Sequence, residues 1–128
     1  MNYAIQVNSS PYHSPASYTA FQFIKALLSN GHRVQRVFFY HDGVYHAFKQ
    51  VIPPDDEWQW SQQWNELASA HQIDLVVCIS AAQRRGLLCA EEIKRLGLNG
   101  DNLAEGFRIS GLGQLIEAVI LADRFIVF

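Results

Sequence analysis

The stretch Ile73-Asp74-Leu75-Val76-Val77-Cys78, followed by Ile79-Ser80-Ala81-Ala82-Gln83-Arg84-Arg85-Gly86, decides how this chain folds. Its first part is apolar almost without a break, the pattern of a strand covered on both faces of a parallel sheet. Its second part can turn over the sheet edge and open a helical turn. A buried strand running into a helix is half of a strand–helix–strand unit, so the same alternation is expected on either side.

Working outward, Val34 to Tyr40 is another nearly continuous apolar strand, and Tyr3 to Val7 a shorter one. Between them, Ser14-Pro15 reads as an N-cap followed by proline at the first helical position. Ala20, Ile24, Leu27 and Leu28 follow at helical spacing, and Gly31 is placed to end that helix. His41-Asp42-Gly43 turns the chain out of the next strand. The stretch from His46 to Asp56 is irregular, and Pro53-Pro54 forbids a helix through it. Asp55 or Asp56 is expected to cap a helix in which Trp60, Trp64, Leu67 and Ala68 share one face. Beyond Cys78, Ala90 to Leu96 reads as a short helix stopped by Gly97, Asn99-Gly100-Asp101 as a turn, and Phe107 to Ile109 as a brief strand. Leu112, Leu115, Ile116, Val119 and Ile120 make an amphipathic helix with Ser110 as its cap, and Arg124 to Phe128 closes the chain as a strand. This alternation predicts a single three-layer α/β/α domain over residues 1–128, with a mostly parallel five-stranded sheet and helices on both faces.

Composition narrows the function. Hydrophobic residues are 49% of the chain, which argues against disorder, and charged residues only 17%. That low charge, with three Trp and eight Phe, points to a surface partly covered by other chains. The net charge of −2 and the lack of a Lys/Arg run give no nucleic-acid footprint. No apolar stretch approaches the roughly 20 residues that span a bilayer. The start, Met1-Asn2-Tyr3-Ala4-Ile5, lacks the regions of a signal peptide. A cytoplasmic location is therefore expected, with both cysteines as thiols.

In an open parallel sheet, reactive groups gather at the carboxyl ends of the strands, and Cys78 ends the best strand of this sequence. A thiol there meets free backbone N–H groups and the positive end of a helix dipole, with Ser80, Arg84 and Arg85 close behind it. These influences favour the thiolate, the nucleophilic form. Position alone leaves a second reading, in which Cys78 is a small apolar residue filling a strand end and the arginines are a solvated turn. Cys89 lies among Leu87, Leu88 and Ala90, just before Glu91-Glu92, which suits core packing better than a resolving thiol. His41 is either a base near the same edge or a turn residue. The five histidines show no zinc-site spacing. Gly111-Leu112-Gly113 lacks the third glycine of a dinucleotide fingerprint and instead suggests a helix given room to approach the sheet. No cofactor is called for.

Several pieces taken together are similar to one family. They are Ala20-Phe21-Gln22-Phe23, Val37-Phe38-Phe39-Tyr40 leading to Asp42-Gly43-Val44-Tyr45, Cys78-Ile79-Ser80-Ala81-Ala82 with Arg84-Arg85-Gly86, and Arg95-Leu96-Gly97-Leu98. Asn102-Leu103, Gly106-Phe107, Ser110-Gly111-Leu112-Gly113 and Asp123-Arg124 complete the set. In order and spacing, almost end to end, the chain resembles the DsrE/TusD family of sulfur-relay proteins, most closely its TusD subunits. The resemblance implies a sulfurtransferase that carries sulfane sulfur as a persulfide on the residue matching the family's active cysteine, Cys78. It further implies assembly with TusB- and TusC-like subunits into a heterohexamer, a dimer of heterotrimers. A TusA-like donor and a TusE-like acceptor would flank it on the way to 2-thiolation of the tRNA wobble uridine. The matches leave Cys89 and His41 outside the family's chemistry; Asn8 to Ser14 and Phe48 to Trp60 match loosely. Persulfide exchange requires an accessible, poised thiol. Alternative readings are a scaffold subunit with an idle thiol, a DsrE-type carrier in sulfur oxidation, and, more distantly, a flavodoxin-like cofactor binder.

Overall fold

In the computed structural model, which describes residues 1–128, five strands form one parallel sheet in the order β4-β3-β2-β1-β5. They are β1 (Asn2–Val7), β2 (Arg33–Phe39), β3 (Asp74–Cys78), β4 (Phe107–Ser110) and β5 (Arg124–Val127). All four ladders are parallel, so the sheet is wholly rather than mostly parallel. The helices are α1 (Pro15–Ser29), α2 (Trp60–His71), α3 (Ile79–Arg84), α4 (Ala90–Arg95) and α5 (Gly113–Leu121). A 3-10 helix, His41–Ala47, leaves β2. This is the α/β architecture expected from the alternation.

Local chemistry explains most boundaries. Ser14 caps α1, its Oγ accepting from the Ala16 N–H at 3.2 Å, with Pro15 opening the helix. At the other end, Gly31 N–H donates to the Leu28 carbonyl and His32 N–H to the Leu27 carbonyl. That pair of bonds needs a left-handed residue between them, and Gly31 supplies it with φ +81°.

Two caps differ from expectation. α2 begins after Gln59, with no side-chain cap, instead of after Asp55 or Asp56. The intervening chain carries Trp58 over α1, where its ring lies 5.3 Å from Phe21 and 5.2 Å from Trp60, so the helix starts only beyond it. Ser110 does not cap α5, because it remains in the β4 ladder opposite Cys78; the helix starts after Leu112 without a side-chain cap. Nor do Gly111 and Gly113 let α5 approach the sheet, since a Cβ at either would meet open space.

The faces of the sheet are covered unequally. Ile5, Val7, Val37, Phe39, Leu75 and Val77 are all buried, and Phe39 meets Trp64 of α2 at 5.2 Å. Phe21 of α1 joins the same cluster, 5.0 Å from Trp64. On the opposite face α5 stands over Arg36, Asp74 and Arg108. Asp74 receives Arg108 Nε and Nη2 at 2.8 and 2.7 Å and Arg36 Nε at 2.7 Å. Burial alone would raise the Asp74 carboxyl, but the hydrogen bonds and charges of Arg108 and Arg36 hold it below its ordinary value. Arg36 also donates to the Gln114 carbonyl at 2.7 Å and pairs with Glu117, while Gln35 donates to the Ala118 carbonyl.

These bonds turn much of the polar side of α5 toward the sheet. Of its apolar residues, Ala118 is buried and Leu115 packs against the core. Leu112, Ile116, Val119, Ile120 and Leu121 are exposed, Ile120 by 74%. The amphipathic helix read from the sequence is present, but most of its apolar stripe faces outward. The aromatic residues, by contrast, are spent largely inside the core.

Candidate functional site

Cys78 has two structural roles at once. It closes β3, in register with Ser110, and it is the N-cap residue of α3. Strand alternation sets it with Asp74 and Val76 on the α5 face. No side-chain hydrogen bond caps α3. Cys78 therefore stands beside the first free N–H groups of α3, although its Sγ takes no hydrogen bond from them. The Ser80 hydroxyl lies 3.4 Å from Sγ.

The thiol is nevertheless fully covered, with 0% exposure, whereas Ser80 at the surface is exposed. The accessible thiol expected from the chemistry is thus absent from this conformation.

The arginines divide. Arg84 is exposed. Arg85, at the C-cap of α3, turns its guanidinium to Asp42, with Nη2 and Nε at 3.0 and 3.2 Å from Oδ1, and donates Nη1 to the Ala81 carbonyl at 3.0 Å. Neither guanidinium has Sγ as a hydrogen-bond partner; Arg85 ties α3 to the 3-10 helix.

That helix is itself forced into place. His41 adopts a left-handed φ of +49°, uncommon for a side-chain-bearing residue, and its ring lies against Tyr40. Gly43 sits so close to β1 that a Cβ would fall 2.0 Å from the Val7 carbonyl oxygen. At the far end, His46 is buried. Its Nδ1 accepts from the Trp64 indole N–H at 3.0 Å, so Nε2 carries the proton and faces Ser17 Oγ at 2.9 Å and the Ser9 carbonyl at 3.2 Å. Burial pushes the His46 pKa down to about 3, partly offset by the bond to Ser9, and the ring is neutral.

Cys89 is half-buried at the N-cap of α4, in keeping with packing at a helix start. Sequence reasoning took Asp42 as a turn residue and Asn102 as one piece of the family resemblance, and gave neither a contact. Asn102 bridges the chain beyond α3, donating to the Gly86 carbonyl at 2.6 Å and accepting from the Leu88 N–H at 3.1 Å. Spacing carries no signal for either contact, since the partners are brought together only by the fold. The largest cleft, about 440 Å³, is lined by Ser10, Tyr12, His13, Asp42, Tyr45 and neighbours, not by Cys78. No helix is long and apolar enough to cross a membrane.

A wholly parallel sheet with a cysteine at the junction of a strand and a helix defines a thiol-bearing α/β protein. Comparison with known proteins makes this specific. The chain belongs to the DsrE/DsrF-like family, which it matches over residues 1–128. A protein of Allochromatium vinosum bearing the name sulfurtransferase DsrE is 49% identical over 128 residues, covering 100% of this chain and 98% of its own. A Sulfurtransferase TusD homolog of Pseudomonas aeruginosa is 46% identical, with 100% and 97% covered. Another of Vibrio vulnificus is 41% identical, with 100% and 98% covered. Among solved structures, the ychN protein of E. coli superposes with a TM-score of 0.78 at 20% identity, covering 100% of this chain and 99% of that one. That likeness concerns the fold alone.

Proposed function

We propose that this protein is a sulfur-relay sulfurtransferase subunit that carries sulfane sulfur on Cys78. The reading rests on one observation: a cysteine at the carboxyl end of β3 and the uncapped start of α3, in a chain 41–49% identical over its whole length to proteins named as TusD or DsrE sulfurtransferases. The chain acts as one relay domain over residues 1–128.

The Cys78 thiolate attacks the outer sulfur of a donor persulfide. One S–S bond forms, the donor's S–S bond breaks, and the donor leaves as its thiolate, so no external oxidant is consumed. The product, Cys78–S–S⁻, is an anion that the free N–H groups of the first turn of α3 and the Ser80 hydroxyl can hold, with Arg84 and Arg85 adding positive potential. An acceptor thiolate then attacks the outer sulfur and regenerates Cys78.

The resemblance to TusD subunits implies a cytoplasmic relay from a TusA-like donor to a TusE-like acceptor, ending in 2-thiolation of tRNA wobble uridine. Assembly with TusB- and TusC-like subunits is supported by the α5 face, whose outward apolar stripe has no covering element in this chain. On β5, Phe125 and Val127 are level with Ala4 and Gln6 of β1 and extend the same exposed face. The 49% identity to the Allochromatium protein favours a second reading, a DsrE-type carrier serving another acceptor.

Intact-mass spectrometry of the purified complex after incubation with a persulfide donor tests the common core. A gain of one sulfur, mapped to Cys78, removed by reductant and absent in Cys78→Ser, is the expected result. A Cys78→Ser subunit that still takes up sulfur overturns it.

A further inference from the structure

The proposed chemistry requires Sγ of Cys78 to meet another sulfur, yet Sγ is fully covered. Something at the junction of β3 and α3 must therefore move, and the contacts of α3 show which tie is best suited to yield. Its inner side is fixed by apolar packing, with Ala81 and Ala82 buried and Leu87 beyond them completely so. Asn102 holds the following turn by neutral hydrogen bonds. A single ion pair joins α3 to another element: Arg85 at its C-terminal end with Asp42 of the 3-10 helix.

That pair differs from the rest of the packing in two ways. It is partly solvated, with side-chain exposures of 23% for Arg85 and 61% for Asp42, so it is weak enough to exchange readily. It is also anchored on a rigid base, because Gly43 is pressed against β1 and His46 is locked to Trp64, Ser17 and Ser9. A movement that parts the two residues therefore shifts α3, whose Ser80 hydroxyl lies 3.4 Å from Sγ, rather than the 3-10 helix.

We propose that the Asp42–Arg85 ion pair is a latch that keeps Cys78 covered, making Asp42 a positioning residue for the thiol. The inference rests on the relay reading for its purpose, but not for its test. When the pair is closed, Cys78 is covered, with the Ser80 hydroxyl 3.4 Å from Sγ; when it opens, α3 loosens and Sγ reaches solvent or a docked partner.

The experiment is the rate of alkylation of Cys78 by iodoacetamide, a neutral reagent, in the folded full-length protein. Rates are followed by peptide mass spectrometry, with Cys89 as the internal reference. They are taken on the high-pH plateau, so that a change in thiolate fraction does not enter. Asp42→Asn should raise the Cys78 rate about three- to fivefold, as loss of a partly exposed ion pair allows, and leave the Cys89 rate unchanged. Added salt should speed Cys78 in the natural protein and have no effect in Asp42→Asn, because only the ion pair is screened. Asp42→Glu should stay near the natural rate. Equal Cys78 rates in the natural protein and Asp42→Asn, or a rise shared equally by Cys89, overturns the latch. Sulfur loading on Cys78 with an unchanged alkylation rate would sink the latch and spare the relay; faster alkylation without loading would do the reverse.

Discussion

On the α1/α2 face of the sheet, Ile5, Val37, Phe39 and Leu75 meet Phe21, Trp60 and Trp64 in a buried, aromatic-rich core. On the α5 face, Arg36, Asp74 and Arg108 meet the polar side of a helix that shows solvent Ile116 and Ile120. In the first arrangement apolar surface is removed from water within the chain, which stabilises the fold. In the second, hydrogen bonds and ion pairs hold the helix in one orientation while most of its apolar area stays exposed. One face carries stability and the other, on the reading above, carries partners.

The largest test of this division is Trp64→Ala. It removes a fully buried indole and leaves Nδ1 of His46 without its donor, so it should cost about 3–5 kcal/mol in urea unfolding. A loss below about 1 kcal/mol would mean that the α1/α2 face is not the stabilising one.

Acid should probe the same face next. His46 has a folded pKa of about 3, below its ordinary 6.5, so the unfolded chain binds the extra proton between those values. Stability from this group is whole above pH 6.5 and falls as pH drops, by up to about 1.4 kcal/mol per unit, or about 2 kcal/mol by pH 5. The Asp74 carboxyl, depressed by its arginines, loses its contribution only at lower pH, as it protonates. His46→Gln should flatten the decline between pH 6.5 and 5 in denaturant titrations; an unchanged slope would assign it to other groups.

The smallest effect on stability belongs to α5. Ile120→Ser, at a residue 74% exposed, should change unfolding of the isolated chain by less than about 0.5 kcal/mol. The same substitution should weaken or abolish co-elution with partner subunits in size-exclusion chromatography. Intact assembly would move the partner surface elsewhere; a large loss of stability would make the outward stripe part of the chain's own core.

Much of the fold was legible because its elements carry local signals. The Ile73–Cys78 run, the Ser14-Pro15 start and the Gly31 stop depend on a few neighbouring residues and appear as read. The caps of α2 and α5 were not legible, because Trp58 and Ser110 answer to distant partners, Phe21 and Cys78. At the site, the sequence placed Cys78 at a strand end followed by a helical turn. It could not show that Sγ is buried or that Arg85 faces Asp42, 43 residues away in the chain.

The sequence by itself determined the α/β alternation, the strand-end cysteine and the presence of an apolar stripe at helical spacing on α5. These follow from periodicity and propensity, which act over one or two turns. Only the tertiary structure decided which way that stripe points, that His46 is neutral in the core, and that the Cys78 thiol is covered. Each depends on groups far apart in the chain meeting across the sheet. Periodicity shows that a helix has an apolar side; the Arg36, Asp74 and Arg108 cluster decides that much of the other side is the one facing the sheet.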